Sequence, residues 1–345
     1  MEPAAPSPQH ALASVADGVV VVGASAGGVE ALVAFVRALP ADTRQAVCVV
    51  LHVSPAGTSA MPQILGRAAR LPVHSPADGQ PLLAGHIYVA PPDYHHEIEP
   101  GRVRLTQSPR ENGHRPAIDA TMRSTSLAYG SAVIGVVLSG SGDDGTAGLL
   151  AIKHGGGVAV VQDPGEALYE GMPANAIAHV NVDAVLRIGQ MAAWLAMHRH
   201  PGPQPTGGGG VTNNPPDTPQ AGEAPRAAAV GTRFTCPDCG GVLFEQEEAG
   251  LTRFRCSIGH AFSIESLADG QAHALEGALW TAVRALEDRS EILRQLAVRV
   301  EGTGNRRTAK SFNEQADEAQ RRAGLVRAAI ESSRAVPDDQ AEAAS

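Results

Sequence analysis

Along roughly the first 200 residues, apolar positions fall into short, mostly unbroken runs separated by segments of helical period. The runs are Val19–Val22, Val47–Leu51, His86–Ala90, Val103–Leu105, Val133–Leu138 and Val158–Val161, most of them rich in valine, with Arg104 interrupting the fourth. A strand buried on both faces reads this way, apolar throughout rather than alternating. Helices are predicted after Gly28, Ser59, Ala117 and Thr146, and over Asp183–His198. In the first of these, Val29, Leu32, Val33, Val36 and Leu39 recur at helical spacing until Pro40 ends the pattern. Alternating strands and helices predict an α/β domain over 18–198 with a mainly parallel, doubly wound sheet. The stretch "GHIYVAPPDYHHEIEPGRVRL" adds an antiparallel hairpin.

The pattern then stops. Residues 199–231 are rich in proline, glycine and small polar residues and bury too little apolar surface to fold, so they read as a flexible linker. A small cysteine-containing module follows over 232–265, then a helical hairpin over 266–335 and a disordered tail over 336–345. In the hairpin Leu275, Leu279, Ala282, Leu286, Leu293, Leu296 and Val300 form a coiled-coil-like seam, broken at Arg289. "EGTGN" at 301–305 separates its two helices. The linker implies that the two halves share no core, so that residues 1 to about 200 fold alone and keep their chemistry.

Composition narrows the setting. The 345 residues carry a formal net charge of -9, which argues against nucleic acid or anionic lipid as the main partner. No apolar run approaches the roughly 20 residues needed to cross a bilayer, and the N-terminus does not read as a signal peptide, so a cytoplasmic protein without membrane insertion is expected. Three of the four cysteines cluster, unlike a disulfide-stapled secreted chain. Cys48 lies within a strand and reads as core.

The turn "GASAGG" after the first strand admits two chemistries. A dinucleotide loop wants a glycine where Ser25 stands and an acid at the end of the next strand, where His52 stands. Read as G-x-S-x-G, the turn is a nucleophile elbow that pushes Ser25 outward at a helix N-terminus. Sites in parallel sheets form beyond the carboxyl ends of strands. Ser25, His52 and the pair Asp143 and Asp144 of "SGSGDDG" all follow strands there. His95 and His96 are rival bases, and Asp93 and Asp163 rival acids.

Six motifs, "GASAGGVEAL", "LHVSP", "GHIYVAPPDYH", "HRPAIDATMRS", "VVLSGSGDDGTAG" and "VQDPGEALYEGMPANAI", together resemble the catalytic domain of the protein-glutamate methylesterase (CheB) family over about residues 18–195. The resemblance implies a cofactor-free serine hydrolase that demethylates glutamate methyl esters on receptor signalling helices, with glutamine deamidation as adjacent chemistry. It implies Ser25 as nucleophile, His52 as base, Asp144 as the orienting acid, and the backbone N–H groups of Ala26 and Ser141 as oxyanion donors. Ala26 replaces a threonine and Ser141 a methionine common in the family. Arg115 of "RPAID" falls at the substrate rim, either meeting acidic groups of the target or held in a structural ion pair. Only about eighteen residues precede the first strand, so a receiver domain is not expected. A methyltransferase or histidine kinase of the same pathway is a further expected partner. The competing reading is a non-catalytic scaffold that binds receptors or kinases through the C-terminal module.

In that module Cys236 and Cys239 precede Cys256 and His260, with a hairpin between the pairs. Two close ligand pairs on a hairpin are what a structural Zn²⁺ ribbon requires. The ribbon and helices are read as a docking or self-association element.

Overall fold

The computed structural model describes residues 14–198, 230–248, 250–302 and 304–334. In chain order the first part runs β1 (Val19–Ala24), α1 (Gly28–Ala38), β2 (Ala46–Leu51), α2 (Met61–Ala68), β3 (Val73–His74), β4 (Ile87–Val89), β5 (His95–Glu99), β6 (Arg102–Thr106), α3 (Ile118–Tyr129), β7 (Val133–Val137), α4 (Thr146–His154), β8 (Val158–Gln162), α5 (Gly171–His179), β9 (Ala184–Leu186) and α6 (Ile188–Met197).

Seven strands form one sheet in the order β3-β4-β2-β1-β7-β8-β9, with every pairing parallel. Side chains alternate across it, so β1 sends Val20 and Val22 to one face and Val19 and Val21 to the other. The first face packs on α1, α2 and α6 through Leu32, Phe35, Leu65 and Met191. The second packs on α3, α4 and α5 through Ile118, Met122, Leu149 and Met172. The sheet is thus doubly wound, and β5 and β6 make the expected antiparallel hairpin.

Three short elements depart from the sequence expectation. The helix expected over Asp183–His198 is β9 followed by α6, because Ala184–Leu186 pair with Val160–Gln162 of β8 at the sheet edge. The strand β3 is only two residues long, and α5 carries Pro173 in its first turn, so neither shows a clear period.

The ribbon is a four-stranded antiparallel sheet, β10 (Val230–Thr235), β11 (Val242–Glu248), β12 (Leu251–Cys256) and β13 (Ala261–Phe262). Its core consists of Cys236, Leu243, Phe254, Cys256, Phe262 and Leu267. Residues 230 and 231 of the expected linker already belong to β10; the rest of it, and the tail, lie outside the described residues. The ribbon keeps a hydrophobic core of its own, yet it docks on the α/β domain through contacts that the sequence expectation did not include. The ribbon belongs to the same compact unit as the α/β domain, a unit that ends at Leu267. Asn112 N–H donates to Ala261 O at 2.7 Å, and Ala261 N–H to Arg110 O at 3.2 Å. The contact is polar, which is why hydrophobic pattern does not announce it.

The second unit is a pair of helices, α7 (Ile264–Gly302) and α8 (Arg306–Arg334), of which α7 begins within the first unit. The chain breaks between them at Gly304, whose φ of 83° belongs to the left-handed region. The seam differs from the expected one. Leu293 is buried as expected, but so are Val283, Ser290 and Ala297 from outside the expected seam, whereas Leu275 is 62% exposed. Small residues of α8, Ala316, Ala319 and Ala323, are buried as well, and Ser290 Oγ donates to Ala316 O at 2.9 Å. Close approach to an alanine face therefore rotates the seam towards Ser290 and away from Leu275 and Ala282.

Candidate active site

Strand order reverses at β1, which has β2 on one side and β7 on the other. A crevice opens beyond the carboxyl ends of strands at such a switch point. Ser25 leaves β1 on a sharp turn completed by Gly27, whose φ of 67° any Cβ would strain. The turn is pinned from β7: Ser25 N–H donates to Ser139 O at 3.0 Å, and Ser139 Oγ donates to Ala26 O at 2.8 Å. Gly140 must be glycine for a different reason, since a Cβ there would lie 2.9 Å from that of Ser25 and closer still to Met172 Sδ.

His52 follows β2, and its N–H donates to Ala24 O at 3.2 Å. Its Nδ1 lies 3.0 Å from Ser25 Oγ and its Nε2 2.7 Å from Asp144 Oδ2. An ionised carboxylate only accepts, so the neutral imidazole carries its proton on Nε2. Nδ1 is then free to accept from the Ser25 hydroxyl. His114 stacks on the same ring, with centroids 3.6 Å apart. Burial and the neighbouring His52 push the His114 pKa down to about 4, so this ring packs against His52 without adding charge at neutral pH.

Asp144 is buried and accepts four hydrogen bonds. Oδ2 takes His52 Nε2 and Ile118 N–H (2.7 Å), and Oδ1 takes Asn112 Nδ2 (3.0 Å) and Asp119 N–H (3.1 Å). Burial alone raises a carboxyl pKa, but the His52 bond and the donors from the first turn of α3 outweigh it and hold Asp144 well below the usual range. Asp119 mirrors this arrangement. Its Oδ1 accepts from Gly145 and Gly148 N–H, at 2.9 and 2.7 Å, where α4 begins. Each acid thus satisfies the open N-terminus of the other's helix.

The other candidates are placed elsewhere. Asp143 lies away from His52, with Oδ1 buried and unpartnered. His95 Nε2 is 3.0 Å from Pro109 O, and His96 is fully buried with both ring nitrogens unpartnered. Asp163 is 3.7 Å from Arg187. Arg115 is held in a structural ion pair: it donates twice to Asp93 Oδ1, at 3.1 and 2.7 Å, and to the carbonyls of Gln107 and Ser108. The N–H groups of Ala26, next to Ser25 in the chain, and of Ser141, next to Gly140, have no backbone partner among the described residues. A cleft of about 370 Å³ opens beside Ser25 and His52, walled by Val53, Met61, Ile64 and Pro92. Sequence reasoning passes over Asn112, His114, Asp119 and Arg253. The first three sit in or beside the quoted "HRPAID" motif, whereas Arg253 carries no signal at all.

In the ribbon, the ligand atoms of Cys236, Cys239, Cys256 and His260 all lie within 4.8 Å of one another. Cys239 Sγ is 3.7 Å from Cys256 Sγ, and His260 Nδ1 is 3.6 and 3.5 Å from the sulfurs of Cys236 and Cys256. A tetrahedron with Zn–S bonds of about 2.3 Å has edges of about 3.8 Å, so the spacing fits a four-coordinate zinc.

These features define a parallel α/β protein with a serine–histidine–aspartate chain in its switch-point crevice. The chain belongs to the CheB methylesterase family, which it matches over residues 20–195, just over half its length. It is similar to the protein-glutamate methylesterase/protein-glutamine glutaminase 2 of Rhizobium johnstonii, 37% identical over 191 residues, which covers 54% of this chain and 52% of the relative. The Pseudomonas aeruginosa protein of the same name is 36% identical over 197 residues, covering 55% of this chain and 56% of the relative. The chain therefore spans about half the length of the curated relatives it matches. Among solved structures it is similar to the Thermotoga maritima CheB methylesterase catalytic domain, with 32% identity and a TM-score of 0.50, covering 52% of this chain and 97% of that one.

Proposed function

We propose that the chain hydrolyses methyl esters of glutamate side chains on chemoreceptor-type signalling helices, releasing methanol. The observation that carries this reading is the hydrogen-bonded line Ser25–His52–Asp144 beside the cleft, in a family whose relatives are named for this activity. His52 Nδ1 takes the Ser25 proton as Oγ attacks the ester carbonyl. The N–H groups of Ala26 and Ser141 stabilise the oxyanion. The imidazolium returns its proton to the departing methoxide, and a water activated by His52 then releases glutamate from the acyl-enzyme. Asp144 holds the Nε2 tautomer and stabilises the imidazolium. The relatives' names include a glutaminase activity, and the same steps with ammonia as leaving group would deamidate glutamine.

The catalytic residues need no cofactor in this scheme. The four ligands of the ribbon suit a structural zinc, leaving no coordination position open for substrate. No helix among the described residues is long and apolar enough to cross a membrane, in keeping with a cytoplasmic enzyme meeting its receptors from solution. The α7–α8 hairpin is the segment for self-association or for a kinase or methyltransferase partner.

The test is methanol release from a methylated receptor fragment, with Ser25→Ala as control. Release by the unaltered chain that vanishes in the variant supports the reading. Equal release by both would end it.

A further inference from the structure

Asn112 joins two parts of the first unit. Its Nδ2 donates to Asp119 Oδ2 and Asp144 Oδ1, both at 3.0 Å. Its Oδ1 accepts from Arg253 at 3.2 Å, from Ser263 N–H at 3.2 Å and from the Ser266 hydroxyl at 3.1 Å. The carboxylates only accept, and the guanidinium and backbone N–H only donate. One amide orientation satisfies them all. The groups that enforce it come from β12 of the ribbon and from the chain just after β13. Along the chain they flank Cys256 and His260.

Arg253 contributes charge as well as direction. Asp144, Asp119, Glu111 and Asp143 are carboxylates of one buried cluster. Arg123 pairs with Glu111 at 2.5 Å. Arg253, 3% exposed, lies 3.5 Å from Asp119 and 3.8 Å from Glu111, and Arg255 also acts on Glu111. Burial and the charge of Asp144 push the Asp119 carboxyl upward, and Arg253 is the strongest opposing group. Without it, the acids around Asp144 would lose a buried cation in a region where unpaired charge is costly. Asp119 in turn accepts from Gly145, the residue after Asp144.

We propose that Arg253 is a positioning residue for the esterase site: the docked cysteine–histidine ribbon completes the buried polar lattice that holds Asp144 against His52. The proposal rests on the Ser25–His52–Asp144 reading above. It makes turnover depend on a module whose metal ligands take no part in the chemistry.

The test uses the full chain and a small activated ester, with zinc content and thermal unfolding as controls. Arg253→Met is expected to lower kcat about tenfold or more, the scale on which removing an orienting partner acts, with KM changed less than about threefold. The acid limb of its pH profile should move, because a buried positive charge facing the Asp119 carboxylate is lost. Arg253→Lys should recover part of the rate. An Arg253→Met protein with unchanged kcat and pH profile, or a loss matching only its unfolded fraction, would overturn the proposal. If Arg253→Met does not fold, Ser266→Ala removes one of the three Asn112 donors from an intact ribbon; a kcat reduced about threefold supports the proposal, and an unchanged one overturns it. A second readout is independent of turnover. In the Ser25→Ala background, the far-downfield proton of His52 Nε2–H against Asp144 should be seen by NMR and should be lost or exchange-broadened when Arg253→Met is added. That signal separates the two failures: a chain that hydrolyses no ester refutes the esterase reading, whereas a proton unmoved by Arg253→Met refutes only the role of Arg253.

Discussion

The α/β domain holds Asp144 with main-chain N–H groups of Ile118 and Asp119, at the start of a helix that packs under the sheet through Ile118 and Met122. The ribbon reaches the same carboxylate through side chains, Arg253 and Ser266 acting on Asn112. Main-chain donors come with the fold and persist as long as the domain is folded. Side-chain donors on a module with a six-residue core are conditional on that module being formed and docked. The same atom is therefore supported once unconditionally and once conditionally.

The comparison can be broken most severely in the α/β half. Ser25→Ala should lower turnover by on the order of 10⁶ while leaving thermal unfolding and zinc content unchanged. A few per cent of residual activity on a methyl ester would remove Ser25 from the chemistry. Next in size, Asp144→Asn should cost roughly 10⁴ in kcat, because it disturbs the His52 tautomer. Asp143→Asn should cost less than about tenfold, and kinetics on the two variants in the reverse order would exchange their roles.

A pH series sharpens the contrast, since His96 belongs to the α/β half alone. Burial lowers its pKa from 6.5 to about 4. The unfolded chain therefore binds a proton below pH 6.5 that the folded chain refuses until about pH 4. Stability contributed by the neutral ring is present above pH 6.5 and is lost as the pH falls towards 4, by about 3 kcal/mol. Urea unfolding at pH 7 and pH 4.5 measures this, with zinc content followed in parallel to separate proton competition at the ribbon. His96→Phe should flatten the dependence; an unchanged slope would place its origin elsewhere. The remaining test belongs to the ribbon. Cys236→Ser/Cys239→Ser should abolish binding of one zinc, worth roughly 10–16 kcal/mol in isolated finger peptides, yet lower kcat only about tenfold or more. Full activity in the zinc-free variant would dissolve the conditional support.

Why the two halves differ in legibility follows from the same contrast. The strands β1, β2, β7 and β8 announce themselves because a sheet covered on both faces needs unbroken apolar runs. Ser25, His52 and Asp144 were placed by their position after those runs, together with the family motifs. The edge strand β9 escaped notice because three residues carry no period, and pairing with β8 decided its state. In the hairpin, Ser290 was unreadable as a seam residue because its fit depends on alanines of another helix. Arg253 was invisible for a deeper reason. A charged residue in an exposed-looking hairpin reads as solvated, and only the distant acids Asp119 and Glu111 make its burial tolerable.

The cleft beside Ser25 is lined by residues of α1, β2, α2 and the adjoining loops, and none of its walls comes from the ribbon. Substrate and ribbon therefore address the catalytic atoms from separate quarters. An input acting through the ribbon would change how fast a bound ester is turned over while leaving untouched which esters are admitted. In enzymological terms it would be a throttle on maximal velocity rather than a filter on selectivity, and every ester admitted to the cleft would feel it to the same degree.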